Sequence, residues 1–321
     1  MLKKALVCGS SGFIGHHLTA FLKKKNFYVI GVDKNLPAFE NKCDEFHQTD
    51  LSNYDSVSLI ISKDIDCIYQ LAADMGGAGY IFTGENDAEI MSNSASININ
   101  ILKAMVTKNI KKIFFSSSAC IYPEHNQLDI ETLTMSEDSA YPANPDSNYG
   151  WEKLFSERLY QAYARNHGLD VKIGRFHNIY GPYCHYDNGK EKSIAALCRK
   201  ISLAKHGGEI EIWGSGQQKR SFLYIDDCLT AVDKLMESNF SEPINIGSEE
   251  IISINSLASM IESISNKKIV IKNVPGPVGV NTRTSDNKLI YSVLDWRPSV
   301  SLEEGIQRTY NWINKSIVTK E

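Results

Sequence analysis

The chain has 321 residues, 42% of them hydrophobic and 22% charged, with a formal net charge of -4. That length suffices for one large domain or two moderate ones, and the mild acidity without a long basic stripe excludes a general nucleic-acid or membrane-surface binder. No stretch approaches the ~18 apolar residues of a membrane span. Seven scattered cysteines without a CxxC pair or zinc spacing predict a reducing, cytoplasmic setting and no metal site.

The opening run from Met1 to Cys8 is too brief for a signal peptide and leads directly into glycines. Ala5–Cys8 is expected as a first strand. Gly9, Gly12 and Gly15 then form GxxGxxG ahead of a helix beginning near Phe13, with Leu18, Phe21 and Leu22 on one face. Glycines let the backbone approach a pyrophosphate at the positive end of such a helix, where Phe13 and Ile14 also sit. A plain tight turn explains three glycines about as well. A second strand, Tyr28–Val32, leads to Asp33, eighteen residues after Gly15. A carboxylate there accepts hydrogen bonds from an adenosine ribose and repels a 2′-phosphate, so NAD is expected over NADP, with Lys34 as the one contrary sign. Asp50 and Leu51 follow a third strand and are placed beside the adenine, a turn-capping role for Asp50 being as good a reading. The strand Cys67–Ala72 ends in Leu71, Ala72 and Ala73, small enough to leave room for a dinucleotide.

A further strand, Lys112–Ser117, runs on into Ser118, and another spans Val171–Phe176. Strands alternating with helix-forming stretches read as βαβ units with right-handed crossovers. The fold class is therefore α/β: a Rossmann-type, doubly wound parallel sheet with a smaller α/β substrate-binding lobe. Past Gly181 the pattern loosens, with helices at Ser193–Lys205 and Ile254–Ser265 and a strand at Glu209–Trp213. Ser221–Met236 reads as a helix and Pro243–Gly247 as a strand returning to the first sheet. Residues 1–180 with 221–247 are thus assigned to the NAD domain, and 181–220 with 248–321 to the lobe. The polar tail from about Asn314 is expected to fray.

Tyr149 and Lys153 are one helical turn apart, on one helix face. A phenol of pKa ~10 needs about 4 kcal/mol to drop by three units, and an ammonium ~4 Å away at an effective dielectric of ~20 supplies roughly that. A nicotinamide cation adds to it, and Ser118 is placed to hold the alcohol that loses its proton. Alone, YxxxK is common in helices. In this company it points to redox chemistry on an alcohol.

GxxGxxG, Asp33, the LAA run, Ser118, Tyr149 and Lys153, in that order, resemble the extended short-chain dehydrogenase/reductase family of nucleotide-sugar enzymes, the NAD-dependent epimerases and dehydratases. Longer strings resemble its GDP-mannose 3,5-epimerase branch: CDEFHQTD at Cys43–Asp50, AADMGG at Ala72–Gly77, SSACIYP at Ser117–Pro123, GRFHNIYGP at Gly174–Pro182, GKEK at Gly189–Lys192, Cys198–Lys200, Arg220–Phe222, PGPVGV at Pro275–Val280 and Ser285–Asn287. The resemblance implies oxidation of a GDP-sugar at C4 by bound NAD, deprotonation and reprotonation at C3 or C5, and re-reduction of C4. It implies Cys120 and Lys192 as the acid–base pair, Lys200, Arg220 and Arg283 on the diphosphate, and Gly76, Gly77, Asn178 and Glu191 around the sugar. His177 is expected to support its loop by hydrogen bonding, and Trp213 and Trp296 to belong to rim and core. A homodimer through the helix after Tyr149 and the one near Ile97–Met105 is implied as well. Asn281 and the His185–Asn188 loop depart from the plant-type pattern, which leaves the sugar open, heptoses included. The rivals are a GDP-4-keto-6-deoxymannose epimerase-reductase, disfavoured by Asp33, a GDP-sugar 4-dehydrogenase or 4-epimerase, a 4,6-dehydratase, disfavoured by Ala119 and Cys120 in place of an acid, and a nucleotide-sensing scaffold without catalysis.

Overall fold

The computed structural model describes residues 2–128, 135–276 and 279–319. Its first half runs β1 (Lys4–Cys8), α1 (Phe13–Lys24), β2 (Tyr28–Asp33), β3 (Glu45–Gln48), α2 (Tyr54–Ile60), β4 (Cys67–Gln70), α3 (Ala78–Ile81), α4 (Asp87–Lys108), β5 (Lys112–Ser118), α5 (Asn148–His167) and β6 (Asp170–Phe176). The second continues with β7 (Ile179–Tyr180), α6 (Ser193–Leu203), β8 (Gly208–Trp213), β9 (Lys219–Ser221), β10 (Leu223–Tyr224), α7 (Ile225–Glu237) and β11 (Ile244–Ile246). It closes with β12 (Ile251–Ser253), α8 (Ile254–Ser265), β13 (Ile269–Val274), β14 (Thr282–Arg283), α9 (Lys288–Leu294) and α10 (Leu302–Val318).

Seven strands form one sheet in the order β11-β6-β5-β4-β1-β2-β3, every pair parallel. From β1 the chain winds outward through β2 and β3, then returns to β4 on the other side of β1. That reversal opens a crevice at the carboxyl ends of β1 and β4, where open parallel sheets take their ligands. Alternate side chains of β1 serve two cores, as a two-residue period requires. Ala5 and Val7 pack with Leu18, Leu22, Leu229 and Val232, while Leu6 and Cys8 pack with Ile97, Ile101, Met105 and Tyr160. Each fully buried Leu or Ile contributes roughly 1.5–3 kcal/mol, so helices on both faces hold the sheet rigid beneath the crevice.

The second half supplies β11 to the large sheet and builds small sheets of its own, β12-β9-β14 and the parallel pair β8 and β13, beside a short β7 and β10 pair.

Several expected boundaries shift for identifiable reasons. The strand read as Cys67–Ala72 stops at Gln70, whose side-chain Nε2 donates to the Ala72 carbonyl and whose side-chain Oε1 accepts the Ala72 N–H, turning the chain. The helix read from Ser221 begins at Ile225, because Lys219–Ser221 pairs with both β12 and β14. Asp226 and Asp227 then occupy its first turn, where the helix dipole favours them. The helix read to Lys205 ends at Leu203, where the Lys267 ammonium takes the carbonyls of Ile201, Ser202 and Ala204. The tail does not fray at Asn314. Helix α10 runs to Val318, with Ile313 buried and Asn314 bonded to Ser202 Oγ at 2.6 Å. Met1, Lys320 and Glu321, and Pro277 and Val278 of the PGPVGV string, lie outside the described residues.

Candidate active site

The crevice is the mouth of a cleft of about 980 Å³ that continues between the sheet edge and the second-half elements. At its inner end the glycine loop leaves β1. Gly9 has φ +80°, and a Cβ on it would lie 2.9 Å from the Ala72 nitrogen. A Cβ on Gly15 would fall well inside contact with the Gly9 carbonyl oxygen. The loop is therefore folded tightly on itself, with the α1 N-terminus open to the cleft and Phe13 and Ile14 on its wall. Asp33 ends β2 and accepts the Ser11 N–H at 3.1 Å and the Asn35 N–H at 2.9 Å. Burial pushes its carboxyl up, against those two bonds, which favour the anion. Asp50 caps its own turn through the Ser52 N–H at 2.8 Å and, with Leu51, also lines the cleft. Leu71, Ala72 and Ala73 form the floor between the two. A cradle that a single methyl would fill, a helix N-terminus and a ribose-height carboxylate together fit a dinucleotide, and Asp33 leaves no room for an added phosphate charge.

Ser118, Tyr149 and Lys153 meet at the carboxyl end of β5. Helix α5 carries the last two. Its N-terminus is set by Ser147, whose Oγ accepts the Gly150 N–H at 3.3 Å, and its C-terminus by Gly168 at φ 63°. Gly150 packs so closely on the Cys120 carbonyl that any side chain would collide. The helix is thereby docked against the segment after β5. Lys153 lies one helical turn on from Tyr149, on the same face of α5. Its Nζ donates to the Ser116 carbonyl at 3.0 Å and lies 5.8 Å from the centre of the Tyr149 ring. Burial pushes Tyr149 above the usual phenol range, helped by Cys120 and Glu152, while a Ser118 hydrogen bond and Arg283 oppose it. Burial likewise pushes the Lys153 ammonium down, with Glu152 and Glu157 opposing.

Cys120 follows Ser118 in a short turn, its N–H bonded to Ser118 Oγ at 3.2 Å. Its Sγ accepts from Arg283 Nη1 at 3.1 Å. Arg283, expected on the diphosphate, has its remaining fork on Gln127 Oε1 at 2.7 Å and on Asp146. Lys192 opens into the same cleft just before α6. It is exposed to solvent through the cleft, and partial loss of hydration among the cleft walls pushes its ammonium below the ordinary lysine range. Opposing this are Cys120 and two further thiols, Cys184 and Cys228. Glu191 pairs with Arg199 at 2.9 Å.

Gly76 and Gly77 precede the short helix α3, and Gly77 donates its N–H to the Lys190 carbonyl at 3.0 Å. Lys190 caps this contact by lying 3.8 Å above the Tyr80 ring, whose hydroxyl donates to Asp74 at 2.9 Å. Arg220 is held by the carbonyls of Lys219, Asn281 and Val280. Burial first, and then Arg283, push its guanidinium down, a penalty that an anion in the cleft would relieve. Lys200 reaches the Glu211 carbonyl at 2.6 Å on the same wall, and Asn178, at φ 45°, donates to the Ser221 carbonyl at 2.8 Å. His177 is buried with Nε2 against Asn245 Oδ1 at 2.9 Å. Trp296 is buried, and Trp213 lies on the rim.

Every candidate residue named from the sequence thus borders one cleft. Reading the sequence missed Tyr80, Asp74 and Asp146. The first two lie just after the strand-end alanines, within and beside the AADMGG string, and Asp146 three residues before Tyr149. The AADMGG string was the signal for Asp74, whereas neither periodicity nor motif separates Tyr80 and Asp146 from surface loops.

Comparison with known proteins is consistent with this layout. The profile of the NAD dependent epimerase/dehydratase family matches residues 5–247. The chain is 43% identical over 317 residues to GDP-mannose 3,5-epimerase of Arabidopsis thaliana, spanning 98% of this chain and 83% of that one. UDP-glucose 4-epimerase from Thermotoga maritima, solved with UDP-glucose, superposes with a TM-score of 0.87 at 25% identity, covering 98% and 99% of the two chains. UDP-glucuronic acid 4-epimerase from Bacillus cereus, solved with UDP-glucuronic acid and NAD, gives 0.84 at 29% identity with the same coverage.

Proposed function

The chain belongs to the NAD-dependent epimerase/dehydratase family and is an NAD-dependent nucleotide-sugar epimerase, and from that premise we propose that its substrate is GDP-mannose or a related GDP-hexose or GDP-heptose, inverted at C3, C5 or both. The observation that carries this reading is the convergence of Tyr149, Cys120 and Lys192 on one cleft with the glycine loop at its inner end.

In this reading Ser118 and Tyr149 hold the C4 hydroxyl, and Tyr149 takes its proton. NAD held by the residues of the glycine loop would supply reversible hydride transfer at C4. Gly9, Gly12, Gly15, Phe13 and Ile14 hold the pyrophosphate, Asp33 the adenosine ribose, Asp50 and Leu51 the adenine edge, and Leu71 to Ala73 the dinucleotide floor. Lys153, one turn on from Tyr149, stabilises the phenolate and would also help to hold the cofactor. A C4 ketone acidifies the hydrogens on C3 and C5 by enolate formation. Cys120 and Lys192 then give and take protons from opposite sides of the ring. A lysine whose ammonium is pushed below its ordinary range suits this work, because it gives up its proton more readily than a lysine in bulk water. Lys200 and Arg220 hold the diphosphate, and Gly76, Gly77, Asn178 and Glu191 frame the sugar. Residues 181–220 and 248–321 act as the sugar-binding lobe on the NAD domain formed by 1–180 and 221–247. We also assign a homodimer through α4 and α5, where Trp151 and Phe155 are 41% and 50% exposed on one helix.

The test is incubation of the purified protein with GDP-mannose in deuterated water without added nucleotide. Proton NMR and mass spectrometry should find deuterium at C3 or C5 and epimers of the substrate. No label with any GDP-hexose or GDP-heptose would overturn the proposal, and a requirement for NADPH would favour the epimerase-reductase.

A further inference from the structure

Arg283 joins three parts of the chain at one guanidinium. Its Nη1 donates to Cys120 Sγ at 3.1 Å, its Nε to Gln127 Oε1 at 2.7 Å and its Nη2 to Asp146. The arginine and the aspartate are both buried, their side chains 8% and 3% exposed. A buried guanidinium facing a thiol with no carboxylate nearby would place its whole positive charge on the sulfur, and such a field favours the thiolate over the thiol. The residue that prevents this is Asp146. It takes Nη2, the terminal nitrogen beside the one that faces the sulfur, and its neighbour Ser147 caps the helix that carries Tyr149. Its carboxylate is therefore locked to the same frame as the phenol.

We propose that Asp146 is a positioning residue for Cys120. It clamps the Arg283 fork so that Nη1 aims at the sulfur, and it balances the guanidinium charge so that the thiol can both release a proton to the sugar enolate and take one back. The aim matters because a proton donor must sit within ~3 Å of the carbon it serves. The balance matters because a group that is only a base, or only an acid, completes half of an inversion. This assignment rests on the acid–base role proposed for Cys120.

The test compares Asp146→Asn, which keeps the acceptor but removes the charge, with Asp146→Glu, which keeps the charge. Carbamidomethylation of Cys120 by iodoacetamide at pH 7, followed by peptide mass spectrometry, needs no substrate. It is expected to run at least about threefold faster in Asp146→Asn and to return to within about twofold of wild type in Asp146→Glu. Exchange of ring hydrogens with deuterated water is expected to fall at least about tenfold in Asp146→Asn, with KM for GDP-mannose within about twofold. Should Asp146→Asn fail to fold, Asp146→Ser carries the same expectations. Alkylation at the wild-type rate in the uncharged variant would overturn the proposal, and so would loss of exchange matched by an equal rise in KM. Absence of exchange in the wild-type protein would sink the reaction instead, leaving the alkylation rates to decide the role of Asp146.

Discussion

Gly77 and Glu191 touch backbone to backbone, so closely that a Cβ on the glycine would overlap the Glu191 carbonyl oxygen. The Gly77 N–H also bonds the Lys190 carbonyl. The turn before α3 is therefore the seat on which the Lys190–Lys192 segment rests. Gly77→Ala should push that segment, and Lys192 with it, by several tenths of an ångström. We expect at least about a tenfold loss in kcat, because misplaced proton donors lose rate steeply, with NAD content unchanged. Normal turnover by a folded Gly77→Ala protein would show that Lys192 does not depend on this seat.

Gly15 faces the Gly9 carbonyl in the same way, at the other end of the cleft. Gly15→Ala should open the loop and abolish retention of the dinucleotide. The cofactor released from acid-precipitated, purified protein measures this directly. Full stoichiometric NAD in the variant would contradict the cradle.

Tyr149 and the pair Cys120 and Lys192 should separate by step. Tyr149→Phe is expected to stop C4 oxidation, so that no NADH absorbance develops with GDP-sugar. Cys120→Ser or Lys192→Ala should leave that absorbance measurable while slowing deuterium exchange by at least about a hundredfold, the usual contribution of a positioned acid or base. Exchange at the wild-type rate in either would remove that residue from proton transfer.

His177 has its second ring nitrogen buried without a partner, and burial holds the imidazole down, at about 3. The unfolded chain takes up this proton at pH ~6.5, so between those values the unfolded state binds the extra proton and stability rises with pH. The contribution of the neutral ring is complete above ~6.5 and is lost as pH falls. Moving from pH 7 to 5 should cost the wild type about 2 kcal/mol more than His177→Gln in urea unfolding. Equal losses would show that the ring finds a way to charge in place.

Arg175 and Glu157 form a buried fork, with bonds of 2.9 and 2.8 Å, and the same carboxylate accepts from Ser117 Oγ at 2.5 Å. This network lies directly beneath Ser118. Arg175→Ala should destabilise the protein by about 3–5 kcal/mol, because it strands a buried carboxylate, whereas the double change Arg175→Met with Glu157→Leu should recover much of that. Additive losses in the double variant would mean that the pair acts through packing alone.

Order along the chain was enough to determine the parallel sheet, the glycine loop, Asp33 at the end of β2 and the i, i+4 pair on α5, since each depends on local periodicity or on a turn that only small residues make. The same local signals misplaced the starts and ends of elements wherever a distant group intervened, as Lys267 does at the end of α6 and β12 and β14 do at Ser221. They do not give the surroundings of the phenol. Spacing put a cation within reach of Tyr149, but which partner Lys153 bonds, and how much water both residues lose, depends on atoms brought in by β5. The meeting of Cys120, Gln127 and Asp146 at the Arg283 guanidinium belongs wholly to the tertiary structure. Those residues are separated by up to 163 positions along the chain, and no periodicity links them. A long-range contact is chosen by the folded packing of whole elements, so its charge and geometry are written only in three dimensions.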